Sequence, residues 1–258
     1  MAIEAVKTIV ITGGGGHLAQ AVARSWAKPG TDVVLIDKDA ERLEKCRAAI
    51  TPRGANLTVM AIDVTTAAVN AGIASLPASL WSSPPSLVLT HALSGKDADL
   101  KSQCLGELDH AWWQEILDVN LTSVVFTIQA LLPFMKRAGG GRIVLVSSTA
   151  GLYASPTAAL SYSVSKAAIT ALPRLLAQEL ALSKVLINAV APGKFFNPEW
   201  PDDPEKVKRY MRGVPLGRLV SVDEVAALIN FLASSANTFV TGQTIVQDGG
   251  LLSALPTG

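Results

Sequence analysis

A chain of 258 residues that is 49% hydrophobic, 17% charged and formally +1 reads as an ordinary soluble globular protein. Interspersed charges of near-zero sum exclude the basic face of a nucleic-acid binder, and no run of about 18 uncharged apolar residues offers a membrane span. The first residues lack the basic start of a secretory signal, and Cys46 and Cys104 build neither a disulfide framework nor a metal site, so two reduced thiols in the cytoplasm are expected.

The elements alternate along the chain. A strand at Val6–Thr12 runs into four glycines, then a helix with Leu18, Val22 and Trp26 on one face. Strand Asp32–Asp37 leads to a helix marked by Leu43 and Ile50, and strand Asn56–Ile62 follows. Ser82-Ser83-Pro84-Pro85 is a loop before strand Ser86–His91, and His91–Leu108 is polar and poor in helix signals. A helix at Trp112–Met135 precedes strand Arg142–Ser147; a helix at Tyr162–Leu182 precedes strand Val185–Val190. Ala191–Val220 is a long Pro- and Gly-containing segment with Phe195, Phe196, Trp200, Tyr210 and Met211, and a last strand covers Gln243–Gln247. Nearly continuous apolar strands alternating with helices imply a doubly wound, seven-stranded parallel sheet covered on both faces. Nothing divides the chain, so residues 1–258 form one domain. The segment at about 191–220 follows a strand's C-terminal end, where open α/β sheets bind ligands. It is either a substrate lid or a loop packed down by its aromatics.

Gly14-x-Gly16-x-x-Ala19, between a buried strand and a helix, fits the dinucleotide-binding fingerprint. Small residues let the backbone approach a pyrophosphate, and the helix N-terminus offers N–H groups to it. Gly13, Gly14, Gly16, His17 and Leu18 therefore belong to the expected cofactor site. Asp37 stands about twenty residues further on, at a strand end, where a carboxylate accepts from ribose hydroxyls and repels a 2′-phosphate. That favours NAD over NADP, although Lys38 is adjacent. Asp63, with Val64 beside it, either reaches the adenine amino group or begins the next helix.

Tyr162 and Lys166 lie at i and i+4, on one helix face. An ammonium near a phenol lowers the phenol's pKa from about 10 toward the range of a general base, so the pair can move a proton to or from an alcohol.

Around that pair the chain resembles the short-chain dehydrogenase/reductase family from Thr12-Gly13 to Asp248-Gly249-Gly250. The matching pieces are Asp118-Val119-Asn120-Leu121, Gly141 through Ser147-Ser148 to Gly151, Tyr162-x-x-x-Lys166, Asn188-Ala-Val-Ala-Pro192-Gly193 and Thr241-Gly242-Gln243-Thr244. The resemblance implies a Rossmann fold and an NAD-dependent oxidoreductase interconverting a secondary alcohol and a ketone. In it, Tyr162 is the general acid/base. Lys166 holds the nicotinamide ribose and biases the phenol, Ser148 (with Ser147 as competitor) bonds the substrate oxygen, and Asn120 binds a water of the proton relay. Ala92, Pro192 and Gly193 join the cofactor site; no metal is implied. Leu93, Leu152, Tyr153, Phe195, Phe196 and Trp200 suggest a mainly apolar or aromatic small-molecule substrate, with Tyr153 and Phe195 against it, while Lys194 and the three histidines leave room for an anionic group.

Several positions depart from the family pattern. Its second and third glycines fall on His17 and Ala19, where a positive φ at His17 would be uncomfortable, although the four glycines can readjust the turn. Its Asn-Asn-Ala-Gly reads Thr90-His91-Ala92-Leu93, leaving His91 to contact a ligand or to make a structural hydrogen bond. A Thr that often contacts the carboxamide falls on Asn197. Pro173 interrupts the helix carrying Tyr162 and predicts a kink, costing about 3 kcal/mol if uncompensated. Helices Trp112–Met135 and Tyr162–Leu182 carry more apolar residues than one sheet face needs, and in the family they join subunits into homodimers and homotetramers. Two other readings stand beside this one: a dinucleotide-binding regulator without turnover, and a non-redox enzyme on the same fold.

Overall fold

Short runs of Val, Ile and Leu become strands because their branched side chains fill a pleated surface buried on both sides. In the computed structural model, which describes residues 6–96, 103, 105–155, 157–196 and 204–253, seven such runs form one sheet. They are β1 (Thr8–Thr12), β2 (Asp32–Asp37), β3 (Asn56–Ala61), β4 (Ser86–Leu89), β5 (Gly141–Val146), β6 (Val185–Pro192) and β7 (Thr244–Gln247). Every pairing is parallel and the order is β3-β2-β1-β4-β5-β6-β7. The expected strands are all present, with ends shifted by two residues at most.

Helices α1 (His17–Trp26), α2 (Ala40–Ile50) and α8 (Val222–Ala233) cover one face, where Val22, Leu43 and Ile229 pack on Ile9, Ile11 and Leu35. The other face takes α3 (Ala68–Ser75), α5 (Ser123–Arg137) and α6 (Leu160–Ala181), through Ile73, Leu131 and Ile169 against Val10, Val34 and Ile143. Strand order reverses between β1 and β4, which pair at Thr12–Leu89, and opens a crevice at their C-terminal ends.

Two helices differ from their expected form. The helix foreseen at Trp112–Met135 is α4 (His110–Leu117) and α5 joined by one π-helical turn at Asp118–Thr122. The whole run is long and apolar enough, by length and composition, to cross a membrane; Val124, Ile128, Leu131 and Met135 seat it against the sheet. Pro173 does not end α6, which runs 22 residues through it, and Pro173 is itself buried. Pro133 stands inside α5 in the same way.

The long segment after β6 contains α7 (Pro204–Arg212), and a parallel bridge between Phe195 and Val220 ties its two ends. Cys46 is a buried free thiol on α2; Cys104, Asn197 and Trp200 lie outside the described residues.

Candidate active site

The glycine turn shows how this chain accommodates its departures. Gly13 takes φ +67°, and a Cβ there would lie 2.7 Å from His91 N, so β4 closes on it tightly. Gly14 donates to Ile36 O (3.0 Å), Gly15 to Asp37 Oδ2 (3.0 Å) and Gly16 to Gly13 O (2.9 Å). His17 is the first residue of α1, and among the described residues only Lys184 is a non-glycine with positive φ. The discomfort expected at His17 is absent because the positive φ sits four residues earlier. Gly16 caps α1 without a side-chain hydrogen bond, so the first N–H groups of the helix have no cap partner, and His17, Leu18 and Ala19 line the crevice. That glycine cradle is a fit for a pyrophosphate.

Asp37 divides its carboxylate: Oδ2 accepts from Gly15 N and Oδ1 from Asp39 N (3.1 Å). Asp63 Oδ1 accepts from Thr65 N (2.9 Å) and Thr65 Oγ1 (2.7 Å), which hold its carboxyl below the usual range. It therefore shapes the turn before α3 while also lining the crevice beside Val64.

His91 stands where the family has asparagine; it lines the crevice, and both its ring nitrogens meet protein partners. Nδ1 lies 2.6 Å from Thr12 Oγ1 and Nε2 lies 2.8 Å from Ser123 Oγ. Ser123 gives its own proton to Val119 O (2.7 Å), so it accepts from Nε2–H and Thr12 donates to Nδ1. The imidazole is thus neutral; burial, helped by the Lys166 charge, pushes its pKa down to about 3. Its ring links the glycine turn to the π-turn.

That π-turn carries Asn120, which is fully buried. Asn120 Oδ1 accepts from Leu93 N (2.7 Å), while Nδ2 donates to Leu93 O (2.9 Å) and to Ser165 Oγ (3.0 Å). Ser165 in turn donates to Tyr162 O (2.7 Å). Both amide hydrogens of Asn120 are thus given to protein partners, and Asn120 does not line the crevice. Its side chain acts on the backbone of Leu93 and, through Ser165, of Tyr162.

The two serines after β5 separate clearly. Ser147 is buried; its Oγ donates to Lys166 O (2.8 Å) and meets Thr170 Oγ1 (2.7 Å), a structural role. Ser148 accepts from Ala150 N (3.1 Å) and is hydrogen-bonded to the Tyr162 phenol. Lys166 is 3% exposed, donates to Val146 O (2.7 Å) and sits 5.6 Å from the Tyr162 ring centroid. Burial lowers its pKa to about 8. The expectation that Lys166 pulls the phenol's pKa down is corrected: burial pushes Tyr162 up, and the opposing pull is the Ser148 hydrogen bond. The ammonium gives one of its three hydrogens to the Val146 carbonyl.

These residues share one crevice of about 1070 Å³. Its lining includes Gly13, Gly16, His17, Leu18, Asp37, Asp63, Val64 and Ala92 toward the glycine turn. Ser148, Tyr153, Tyr162, Lys166, Pro192, Gly193 and Phe195 line it toward α6. Gly14 is not in the lining; it faces Leu35, to whose Cβ an added Cβ would come within 2.8 Å. The apolar wall is also corrected: Leu152 and Phe196 are exposed and outside the lining. In their place stand residues that sequence reasoning passed over: Thr149, Lys96 and Lys206. Tyr210, foreseen only as a lid aromatic, accepts from Lys194 N (2.9 Å) and is hydrogen-bonded to the Thr149 side chain. The i and i+4 spacing of Lys206 and Tyr210 was the one available signal for α7 facing inward.

Comparison with known proteins follows from this geometry. A family described as enoyl-(acyl carrier protein) reductase matches residues 16–252. A cis-4-hydroxycyclohexanecarboxylate dehydrogenase of Sinomonas cyclohexanicum is 34% identical over 247 residues, covering 95% of this chain and 96% of that one. Among solved structures, a 3-oxoacyl-[acyl-carrier protein] reductase with bound NAD from Brucella melitensis superposes with TM-score 0.85 at 29% identity, covering 96% and 92% of the two chains. A gluconate 5-dehydrogenase from Burkholderia cenocepacia J2315, in complex with NADP and tartrate, has TM-score 0.84 at 28% identity and covers 96% of both.

Proposed function

Because the chain belongs to the short-chain dehydrogenase/reductase family of oxidoreductases, we propose that it interconverts a secondary alcohol and a ketone, with NAD as hydride carrier and Tyr162 as general acid/base. The observation that carries this reading is the joint placement of Ser148, Tyr162 and Lys166 in one crevice with an uncapped glycine cradle. The Brucella melitensis reductase holds NAD and the Burkholderia cenocepacia dehydrogenase NADP, and Asp37 at the end of β2 favours NAD here.

When bound, the dinucleotide supplies a hydride acceptor for the alcohol or a hydride donor for the ketone. The first N–H groups of α1 would hold its pyrophosphate, Asp37 its adenosine ribose, Asp63 and Val64 its adenine side, and Lys166 its nicotinamide ribose. Ala92, Pro192 and Gly193 would close around the nicotinamide half. Ser148 hydrogen-bonds the substrate oxygen; Tyr162 gives that oxygen a proton in reduction and takes it back in oxidation. Burial keeps the phenol protonated at neutral pH, which readies it as the acid. Asn120, through Ser165 and the Tyr162 carbonyl, is a positioning residue.

The substrate is a small molecule, and the protein works in the cytoplasm, in keeping with a buried free thiol at Cys46. Exposed Val125 and Phe126 on α5, with Leu160, Val164 and Leu175 on α6, support pairing of these helices between copies in a homodimer or homotetramer. Oxidation of a panel of secondary alcohols, followed by nicotinamide absorbance, tests the reading. Tyr162→Phe should lower kcat by about 10²–10⁴-fold while leaving NADH binding intact. A fully active Tyr162→Phe enzyme overturns it.

A further inference from the structure

Carboxylates in the crevice are confined to one end, where Lys38 and Arg42 stand beside them. Among the described residues that line it, the carboxylates are Asp37 and Asp63, both toward the glycine turn. Lys96, Lys194 and Lys206 line the end around Tyr162. They arrive on three separate segments. Lys96 follows Gly95, which lies against the start of α6: a Cβ there would be 3.3 Å from Tyr162 N. Lys206 is one turn before Tyr210 on α7 and shares its face, and Tyr210 Oη binds Lys194 N (2.9 Å). Lys194 has an interaction of its own, so the argument rests on Lys96 and Lys206.

The described acids nearest these lysines in sequence or space are committed elsewhere. Glu205 pairs with Lys208 (2.8 Å), and Asp248 accepts from Gly250 N and Leu252 N (both 2.8 Å). The rest of the wall at this end is hydroxylic, with Ser94, Thr149, Tyr153, Ser155, Thr157 and Tyr210. An apolar substrate would strip water from these ammonium and hydroxyl groups and return nothing. An anion supplies a counter-charge that the described lining residues of this end do not, and a cleft end lined by one sign of charge concentrates it. Arginine forks, the usual partners of phosphate, are absent among the described lining residues at this end, where the only cations are lysines.

Resting on the alcohol–ketone reading above, we propose that the substrate is a small hydroxy or oxo carboxylic acid. Its carboxylate is held by Lys96 and Lys206 while its carbinol or carbonyl oxygen meets Ser148 and Tyr162. Each acid is compared with its methyl ester: 3-hydroxybutyrate and 4-hydroxycyclohexanecarboxylate for oxidation by the NAD-loaded protein, acetoacetate for binding to the NADH-loaded protein by calorimetry. The acids should exceed their esters by about ten-fold or more in kcat/KM or affinity, corresponding to about 1.4 kcal/mol. The preference should weaken with salt. Lys96→Gln and Lys206→Gln should each move the acid-to-ester ratio toward one, chiefly through KM.

Equal use or equal binding of acid and ester overturns the proposal. So does a preference for glycerol 3-phosphate over every carboxylate, which assigns the lysines to phosphate. Tighter binding of acetoacetate than of its ester without turnover of any alcohol upholds the proposal and sinks the alcohol–ketone reading instead.

Discussion

The two ends of the crevice are built differently. At the Tyr162 end, Ser148, Tyr162 and Lys166 stand where the family pattern puts them, and Ser147, Ser165 and Asn120 brace them with hydrogen bonds of 2.7–3.0 Å. At the glycine-turn end, His17, Ala19 and His91 replace pattern residues, yet the turn still closes through Gly13 and still presents the N-terminus of α1. The difference separates two kinds of constraint. Proton transfer needs particular functional groups at particular places, and those are kept. Anion binding by backbone N–H groups needs only the path of the chain, which other side chains can support. His91 shows this most directly: one neutral ring spans Thr12 and Ser123, joining the turn to the π-turn that holds Asn120.

Breaking the braced end gives the largest change expected from a residue outside the crevice lining. Asn120→Ala leaves the part-buried Leu93 N–H and C=O without their side-chain partner and frees Ser165; each group left unsatisfied costs up to about 1–3 kcal/mol. Urea unfolding should show that loss, and kcat should fall more than KM changes. A variant as stable and active as the parent would mean that the π-turn holds Tyr162 without it.

At the other end, Asp37→Asn retains an oxygen for Gly15 N but removes the charge and the second acceptor, which serves Asp39 N. The NADPH-to-NADH affinity ratio should rise about ten-fold, as loss of a charge-assisted bond and of a repulsion implies. An unchanged ratio would assign cofactor choice to other residues at this end.

The bridge between the ends gives the most specific effect. The folded state holds the His91 pKa near 3 against its usual 6.5, so between these values the unfolded chain binds a proton that the folded chain refuses. Stability is therefore full above about pH 6.5 and falls as pH drops toward 3. His91→Asn should flatten that part of the urea-midpoint profile. A profile as steep as the parent's would show that the carboxylates, not this imidazole, set the acid limb.

Sequence reading reaches the fold because doubly covered parallel strands announce themselves as apolar runs: β2 was foreseen at its observed residues, and β4 and β6 moved by two. The Tyr162–Lys166 pair was equally legible, since one helix face joins them. The π-turn was not, because the apolar spacing of α4 and α5 continues through Asp118–Thr122, and only coordinates show that Asn120 spends both amide hydrogens on protein partners. Choosing between Ser147 and Ser148 likewise depends on the face of the strand end, which period-two alternation leaves ambiguous at a terminus. Pro173 signalled a kink but not that α6 continues through it for 22 residues, with the proline ring buried. The lysine-lined wall was illegible because Lys96 and Lys206 are more than a hundred positions apart and meet only through the sheet's topology.

The most direct test is a titration of the purified protein with NADH and, separately, NADPH, followed by nicotinamide fluorescence. The cradle of Gly13, Gly16 and the start of α1, with Asp37 beside it, predicts saturable NADH binding at least about ten-fold tighter than NADPH binding. Binding of neither dinucleotide would contradict the account, for a crevice shaped by these residues would then serve some other ligand.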